Sequence, residues 1–521
     1  MLRRTLAASL AGVVLSFAFE PVAVAYLMPL CLAVYAVATH GVRARVGFVA
    51  GLGFGVGFYF VHIYWMSPSI GAAAWLALAG VEALFYGLLG AVSTVLQRLR
   101  AWPAWLALAW VSMETIRATW PFSGMPWGRL GFGVIDTPLA PALAYVGVNG
   151  VSLVVALLGF LLARLVLSRT LDERLASAAA AVVVAAVAVV PVVLPWTLSA
   201  SGSTTVAVVQ GNVPGRGDDV LVDVEGLTQN HVDATVDLAA QVDAGAVPRP
   251  DLVIWPENST ARDPFEDASI HAGIETAVKA VGVPILVGGI VDAGEDHILN
   301  QGIVWDPVTG PGERYTKWHP VAYGEYIPLR GLLARTGITE KGQLARIPRD
   351  MIAGHRTEPL TIAGIPVADA ICFDIAYDDG LLAQLDHGAE LLTVQTSNAS
   401  FIFTDQIEQQ FAITRARAIE TGRYVAVAST NGVSGVIAPD GSVVARTERR
   451  TQDVVVETVD LYRGHTPGLG VANGLRLISY GATILGVAWG VLLLRRDRRG
   501  SASPVADPTA VDQPSGVGET A

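Results

Sequence analysis

Long apolar segments separated by short polar breaks dominate the first 195 residues of this 521-residue chain. A membrane-spanning helix needs about 20 mostly apolar residues, with roughly 17–25 allowed. The segments that meet or approach this length are 5–19, 22–39, 46–66, 72–96, 102–117, 142–166, 177–196 and 475–494. The pattern predicts eight membrane-spanning helices and excludes a disordered or wholly soluble chain.

The composition agrees with this prediction. Hydrophobic residues make up 52% of the chain and charged residues only 16%, against roughly a quarter in soluble proteins. The formal net charge of −11 gives no bulk attraction for nucleic acid, so we expect no nucleic-acid partner. The protein is expected to be integral to a membrane.

Basic residues in the short connections predict how the helices are oriented. They fall at alternate connections, namely at Arg3 and Arg4, Arg43 and Arg45, Arg98 and Arg100, Arg169 and Arg174, and Arg495, Arg496, Arg498 and Arg499. Short cytoplasmic loops carry an excess of Lys and Arg. Both termini are therefore predicted to be cytoplasmic, which places the polar block between the seventh and eighth spans on the extracytoplasmic face.

The chain divides into four predicted parts. Residues 1–198 form a membrane domain with seven transmembrane helices, and 199–470 form an extracytoplasmic domain. Residues 471–496 hold the eighth helix, and the small, polar, Pro-rich 497–521 should be a disordered cytoplasmic tail. The 199–470 block alternates short β-branched runs with helical patterns, which is typical of α/β layers.

A Trp-, Pro- and Gly-rich segment, 118–141, is predicted to be an extracytoplasmic loop that contains Trp127. One interpretation is an aromatic belt at the membrane interface. The other is a membrane-level lip for an amphiphilic substrate. The pattern leaves both open.

Three residues of the polar block could carry chemistry. Glu257 follows a strand-like run that Pro256 ends, although a lone carboxylate there could equally be an ordinary turn residue. Lys317 is one of only three lysines among 35 basic residues, and it lies among aromatics and prolines. Cys372 ends an apolar strand, where a cysteine by itself is more often a small core residue.

Together these residues form a constellation suited to acyl transfer. A thiol such as that of Cys372 needs a base to become the reactive thiolate, and Glu257 could serve. A developing oxyanion needs a fixed positive donor, which Lys317 could supply with a backbone N–H after the cysteine.

The segments around these residues resemble the nitrilase superfamily, whose Glu-Lys-Cys triad is carried on an αββα sandwich. The similarity covers essentially all of 199–470. With the predicted membrane helices, the whole chain resembles the bacterial apolipoprotein N-acyltransferase family, most specifically in the run from Lys317 to Pro328. The resemblance implies a multi-span α-helical membrane domain joined to an α/β, nitrilase-like extracytoplasmic domain.

The resemblance also implies roles for individual residues. Glu257 would be the general base, Lys317 the stabilising cation, Cys372 the nucleophile and Glu325 an additional active-site glutamate. Phe373 would give its backbone N–H to the oxyanion hole, with Asp374 and Asn398 as supporting residues. Trp255, Tyr323, Phe401 and Trp127 are candidates for lining the substrate site.

The activity implied is transfer of a fatty acyl chain from a membrane phospholipid, through a cysteine thioester, to the N-terminal amine of diacylglyceryl-cysteine in apolipoproteins. Two alternatives stay open from the residues, a membrane-anchored nitrilase-type amidase and a non-catalytic envelope-assembly scaffold. No histidine spacing suggests a metal site, so neither metal nor cofactor is expected. The location implied is the cytoplasmic (inner) membrane of a bacterium, with the protein as a monomer.

Overall fold

The computed structural model describes residues 1–500, with side chains described through 497. The last helix reaches Gly500, past the predicted start of the tail at 497. The remainder of the predicted tail, 501–521, lies outside the described residues.

Helices make up the first part of the chain. They are α1 (Leu2–Ser16), α2 (Leu27–Thr39), α3 (Ala44–His62), α4 (Met66–Ser69), α5 (Ala72–Leu96), α6 (Trp102–Arg117), α7 (Leu143–Leu167), α8 (Leu171–Ala188) and α9 (Val190–Val193). Within the described residues, five helical segments are long and apolar enough to cross a membrane, including the C-terminal helix. Helices α1, α2 and α6 have only 15, 13 and 16 residues. The eight-span arrangement stays a prediction.

The second helix begins five residues later than the apolar run at 22–39 suggested. Ala23 has a φ of 57°, in the left-handed region, so a regular helix cannot pass through it. Hydropathy registers the apolar side chains around Ala23 and is insensitive to this backbone conformation. Residues before Leu27 therefore form a turn.

Glycines let the N-terminal helices approach closely. A Cβ on Gly12 of α1 would lie 2.0 Å from the carbonyl oxygen of Phe54 in α3. A Cβ on Gly51 of α3 would lie 2.2 Å from the carbonyl oxygen of Tyr86 in α5. Small residues at such crossings let two helix backbones pack closely. In lipid the hydrophobic effect does not drive helices together, so this close packing contributes much of their association.

The polar block folds into two sheets. Its strands are β1 (Ala200–Gln210), β2 (Leu252–Ile254), β3 (Ile285–Asp292), β4 (His297–Asp306), β5 (Gly310–Thr316), β6 (Asp350–Met351), β7 (Leu360–Ile362), β8 (Ile365–Ile371), β9 (Leu391–Thr396), β10 (Val425–Ser429), β11 (Gly435–Ile437), β12 (Val443–Arg446) and β13 (Asp453–Tyr462). The first sheet has the order β13-β1-β2-β3-β4-β5, with β6 paired to β4. The second has the order β12-β11-β10-β9-β8-β7.

Helices cover both sheets, which gives an αββα sandwich. The remaining helices are α10 (Val224–Asp243), α11 (Ala268–Val281), α12 (Arg330–Ala334), α13 (Asp379–Asp386), α14 (Gln406–Thr421) and α15 (Pro467–Gly500). Alternate residues of β2 face opposite layers: Leu252 and Ile254 pack in the core shared by the two sheets, whereas Val253 packs against α10 and α11. The predicted fold class, membrane helices plus an α/β sandwich, is confirmed.

Polar side chains lie between the two sheets. Gln395 of β9 donates to the backbone oxygen of Trp255 at 2.6 Å and so links the sheets. Asp369 Oδ1 accepts from Thr393 Oγ1 at 2.7 Å, but Asp369 Oδ2 and Gln395 Oε1 have no donor among the described residues. Both oxygens lie 2.4 Å from the point where a Cβ on Gly302 would sit, so they face one another across that glycine. Burial raises the pKa of Asp369 to about 7, against the opposing hydrogen bond from Thr393.

Asp369→Asn should make the folding stability of the protein less sensitive to rising pH. Because the native pKa of about 7 lies above the ordinary value of 3.8, the folded state holds its proton more tightly than the unfolded state. Stability from this group is therefore lost as pH rises from about 4 through 7, by up to about 4 kcal/mol. In detergent, we expect the melting temperature of the wild type to fall more between pH 5 and pH 8 than that of Asp369→Asn. Equal falls would contradict the assignment.

Candidate active site

Glu257 lies in the loop after β2 with only 3% of its surface exposed. Its Oε1 accepts from Asn300 Nδ2 at 2.7 Å and from Lys317 Nζ at 3.1 Å. Its Oε2 accepts from the backbone N–H of Ser397 at 2.9 Å, just after β9 of the other sheet. Donors from both sheets therefore fix both carboxylate oxygens.

Lys317 directly follows β5 and is 1% exposed. Its Nζ donates to Glu257 and, at 2.7 Å, to Glu325 Oε1. Burial alone would lower the pKa of Lys317, but the two carboxylates outweigh burial and hold it well above its ordinary value. The ammonium group is therefore a fixed positive charge.

Glu325 is the second carboxylate partner of Lys317. Its Oε2 accepts from the backbone N–H of Val321 at 2.8 Å, so the loop between Lys317 and Glu325 closes on itself. Burial raises the pKa of Glu325, while Lys317 opposes the shift and the Glu257 carboxylate adds to it. The contact places Glu325 beside Lys317, and its role as an additional active-site glutamate stays a prediction.

Cys372 follows β8 and starts a short 3₁₀ turn, Cys372–Ala376. Its φ of 56° is unusual for a residue other than glycine, and such conformations concentrate at functional sites. Burial raises the pKa of the thiol, the Glu257 carboxylate adds to this, and Lys317 opposes it. The resting group is the neutral thiol, so attack at a carbonyl requires a neighbouring base.

The three residues singled out in the sequence thus come together at the ends of β2, β5 and β8. Glu257 and Lys317 are hydrogen-bonded, and the thiol of Cys372 lies close enough for both charges to affect its pKa. The set offers a proton acceptor, a fixed cation and a nucleophile in a site largely removed from water. This is the equipment for nucleophilic attack on an acyl carbon.

Asp374 connects the turn after Cys372 to the segment after Lys317. Its Oδ1 accepts from the backbone N–H of His319 at 2.9 Å. Its Oδ2 accepts from the backbone N–H of Trp318 and from the Tyr315 hydroxyl, both at 3.1 Å. Its contacts make Asp374 an anchor for the position of Lys317.

Four aromatic rings pack against one another at the turn that starts at Cys372. The Phe373 ring centroid lies 4.7 Å from that of Trp127, 6.1 Å from Phe401 and 6.2 Å from Trp65. The Trp65 and Trp127 indoles each donate at 2.9 Å to the same oxygen, Oε1 of Gln409 in α14. We call Trp65, Trp127, Phe373 and Phe401 the aromatic wall. It combines residues of the membrane region with residues of the sandwich.

Tyr323 lies at the rim of the site. It has a φ of 60°, and its ring lies 6.3 Å from that of Phe122 in the 118–141 segment. The neighbouring Tyr326 hydroxyl donates to the backbone oxygen of Phe122 at 3.3 Å. The 118–141 segment therefore reaches the site at two places, through Trp127 in the wall and Phe122 at the rim.

The two remaining candidates, Trp255 and Asn398, make contacts that serve the fold. The Trp255 ring is fully buried in the core between β2 and α10, where its Nε1 donates to Thr235 Oγ1 at 2.9 Å. It faces the helix layer, so its position does not support substrate lining. Asn398 has a φ of 55° and turns the chain after β9, and its side chain bonds to Gln410 and Ser429.

Sequence reasoning missed Trp65, Asn300 and Gln409. Asn300 lies within β4 and donates to Glu257, a role with no local sequence signal. Gln409 belongs to a run of polar residues in a helix that is buried along most of its length. Such a run could have indicated that Gln409 has specific hydrogen-bond partners. Among the described residues, His, Cys, Asp and Glu form no group of three placed to hold a metal ion.

Comparisons with known proteins agree with this geometry. The family model for the apolipoprotein N-acyltransferase N-terminal domain matches residues 11–161, and that for carbon-nitrogen hydrolase matches 205–465. The apolipoprotein N-acyltransferase of Mycolicibacterium smegmatis is 36% identical over 425 residues, which cover 77% of this chain and 70% of that protein. The chain belongs to the apolipoprotein N-acyltransferase family.

A second apolipoprotein N-acyltransferase, from Methylococcus capsulatus, is 32% identical over 490 residues, covering 88% of this chain and 90% of its own length. The family inferred from the sequence is confirmed. Among solved structures, the C. elegans NitFhit protein is similar over 54% of this chain and 64% of its own, with 19% identity and a TM-score of 0.38.

Asp374→Asn should impair acyl transfer by this family member more than it impairs folding. The amide replaces one acceptor oxygen with a donor, so at least one backbone N–H beside Lys317 loses its partner. Hydrogen bonds to charged groups contribute about 1.5–3 kcal/mol, which corresponds to a rate loss of about 10–100-fold. The measurement is the rate of cysteine acylation, with thermal unfolding in parallel. The exposed Asp386→Asn is the control, and an unchanged rate in Asp374→Asn would refute the anchoring role.

Proposed function

We propose that this protein transfers a fatty acyl chain from a membrane phospholipid to the α-amine of the N-terminal diacylglyceryl-cysteine of apolipoproteins, through a thioester on Cys372. The observation that carries the proposal is a buried thiol beside a hydrogen-bonded carboxylate–ammonium pair. Family membership and the aromatic wall shared with the membrane region support it.

In the first half-reaction, Glu257 takes the proton of the Cys372 thiol as sulfur attacks the ester carbonyl of the phospholipid. The oxyanion that forms is stabilised by the charge of Lys317 and by the backbone N–H of Phe373. The intermediate collapses with cleavage of the carbon–oxygen bond. Glu257 returns the proton to the leaving alcohol, which departs as a lysophospholipid and leaves the acyl thioester.

In the second half-reaction, the apolipoprotein amine attacks the thioester carbonyl. Glu257 accepts a proton from the amine, and the same donors stabilise the second oxyanion. Cleavage of the carbon–sulfur bond forms the amide. The proton held by Glu257 passes to the sulfur, which restores the neutral thiol favoured by the raised pKa of Cys372.

Location follows from the substrates. Both are membrane amphiphiles, so the thiol has to be reached from the bilayer surface. Basic residues at alternate connections support cytoplasmic termini and a catalytic domain on the extracytoplasmic face of a bacterial inner membrane. The aromatic wall then lies where the membrane helices meet the sandwich.

Acylation of Cys372 by phospholipid tests the proposal. Incubation of the purified protein with phospholipid vesicles should add the mass of one acyl chain, and hydroxylamine should remove it because it cleaves thioesters. Cys372→Ala should show no adduct. Glu257→Gln should acylate about 10²–10⁴-fold more slowly, the usual contribution of a general base.

The other cysteine provides the matched control. Cys31 is buried in α2, so Cys31→Ala should keep the hydroxylamine-sensitive adduct. Small-amide hydrolysis without a phospholipid-derived adduct would favour the amidase alternative. Activity that survives replacement of Cys372, Glu257 and Lys317 would favour a scaffold.

A further inference from the structure

Arg417 of α14 is buried, with 1% of its surface exposed, and it faces the turn that carries the nucleophile. Its Nε donates to the backbone oxygen of Ile375 at 2.9 Å. Its Nη2 donates to the backbone oxygens of Ala376 and Tyr377, each at 2.9 Å. One guanidinium group thus holds three consecutive carbonyls at the end of the turn that starts at Cys372.

This grip matters because the turn is strained and short. Cys372 takes a left-handed φ of 56°, and the 3₁₀ turn ends at Ala376. Hydrogen bonds within a turn of five residues leave most of its peptide groups without helical partners. The orientation of the peptide N–H groups near the thiol therefore depends on what binds the carbonyls that follow.

Arg417 is itself held by charges. Its Nη2 pairs with Asp378 Oδ1 at 2.7 Å, and its Nη1 pairs with Glu420. Asp378 also accepts from Arg129 of the 118–141 segment at 2.9 Å. Two guanidinium groups and two carboxylates balance, which satisfies the requirement that buried charges be paired.

The same cluster reaches helix α7. Arg129 Nη2 donates to Asn149 Oδ1 at 2.7 Å, and Glu420 Oε1 accepts from the backbone N–H of Val148 at 2.8 Å. Gly147 has a φ of 65° at a kink in α7, and a Cβ there would lie 2.9 Å from Glu420 Oε1. The nucleophile turn is thereby tied to the membrane region through Arg417.

We propose that Arg417 is a positioning residue that orients the Cys372–Ala376 turn so that its backbone N–H donors face the acyl oxyanion. The inference rests on the proposed acylation of Cys372. Lysine would keep the positive charge, but its N–H donors all belong to one nitrogen. The planar guanidinium group has donors on separate nitrogens and so reaches three carbonyls at once. Arg417→Lys should therefore weaken oxyanion stabilisation while the thiol itself stays accessible.

The test compares two reactions of the same thiol in Arg417→Lys. Acylation by a p-nitrophenyl ester passes through an oxyanion, whereas alkylation by iodoacetamide does not. Loss of one oxyanion donor typically slows the chemical step about 10²–10³-fold. We expect acylation at saturating ester to fall by about that factor with little change in KM, and alkylation to stay within about twofold of the wild type.

Arg415→Lys, on the same helix but paired with the exposed Asp136, is the control and should acylate normally. Equal losses of acylation and alkylation, or unchanged acylation, would overturn the proposal. If Arg417→Lys does not fold, Arg129→Lys should give a smaller selective loss of acylation, and absence of that loss would also overturn it. Failure of the wild type to react with phospholipid while it reacts with the ester would count against the proposed function and leave this test intact.

Discussion

The charge balance around Lys317 Nζ is the constraint on which the site depends. Removing an ammonium ion from water costs several kcal/mol unless close, well-oriented partners compensate. Glu257 and Glu325 supply them at 3.1 and 2.7 Å. These carboxylates require donors in turn, which come from Asn300 and the backbone of Ser397 and Val321. The loops after β2, β5 and β9 therefore have to adopt one mutual arrangement, because any other leaves a buried charge unpaired.

The membrane region adds further contacts beside Cys372. Phe373, next to Cys372, contacts Trp65 and Trp127, and both indoles are fixed by one oxygen of Gln409. The Nε2 of the same Gln409 amide donates to the backbone oxygens of Glu20 and His62, close to the ends of α1 and α3. Helix α14 therefore sets the position of the aromatic wall relative to the triad. The sandwich and the membrane helices build one site together.

Sequence reasoning was accurate where a residue's environment is local. Short runs of apolar and β-branched residues predict the α/β layers of 199–470, and β2 and β9 are such runs, buried along their whole length. The antiparallel pairing of β13 with β1, about 250 residues away, has no local signal in the sequence. Trp255 packs toward α10 because of the alternation along β2, which its nearness to Glu257 in sequence does not reveal. Gln409 and Arg417 act through partners in distant segments, which a single sequence does not reveal.

Glu257, Lys317 and Cys372 could serve either hydrolysis or transfer, so their chemistry does not decide between them. A thioester on Cys372 hydrolyses if water reaches it before the amine does. In this protein Phe373, the residue after Cys372, packs against three further rings, two of them supplied by the membrane region. Such apolar packing keeps water away from this side of the turn, as a thioester that waits for an amine requires. The arrangement of the wall, more than the triad, therefore favours transfer between lipids over amide hydrolysis.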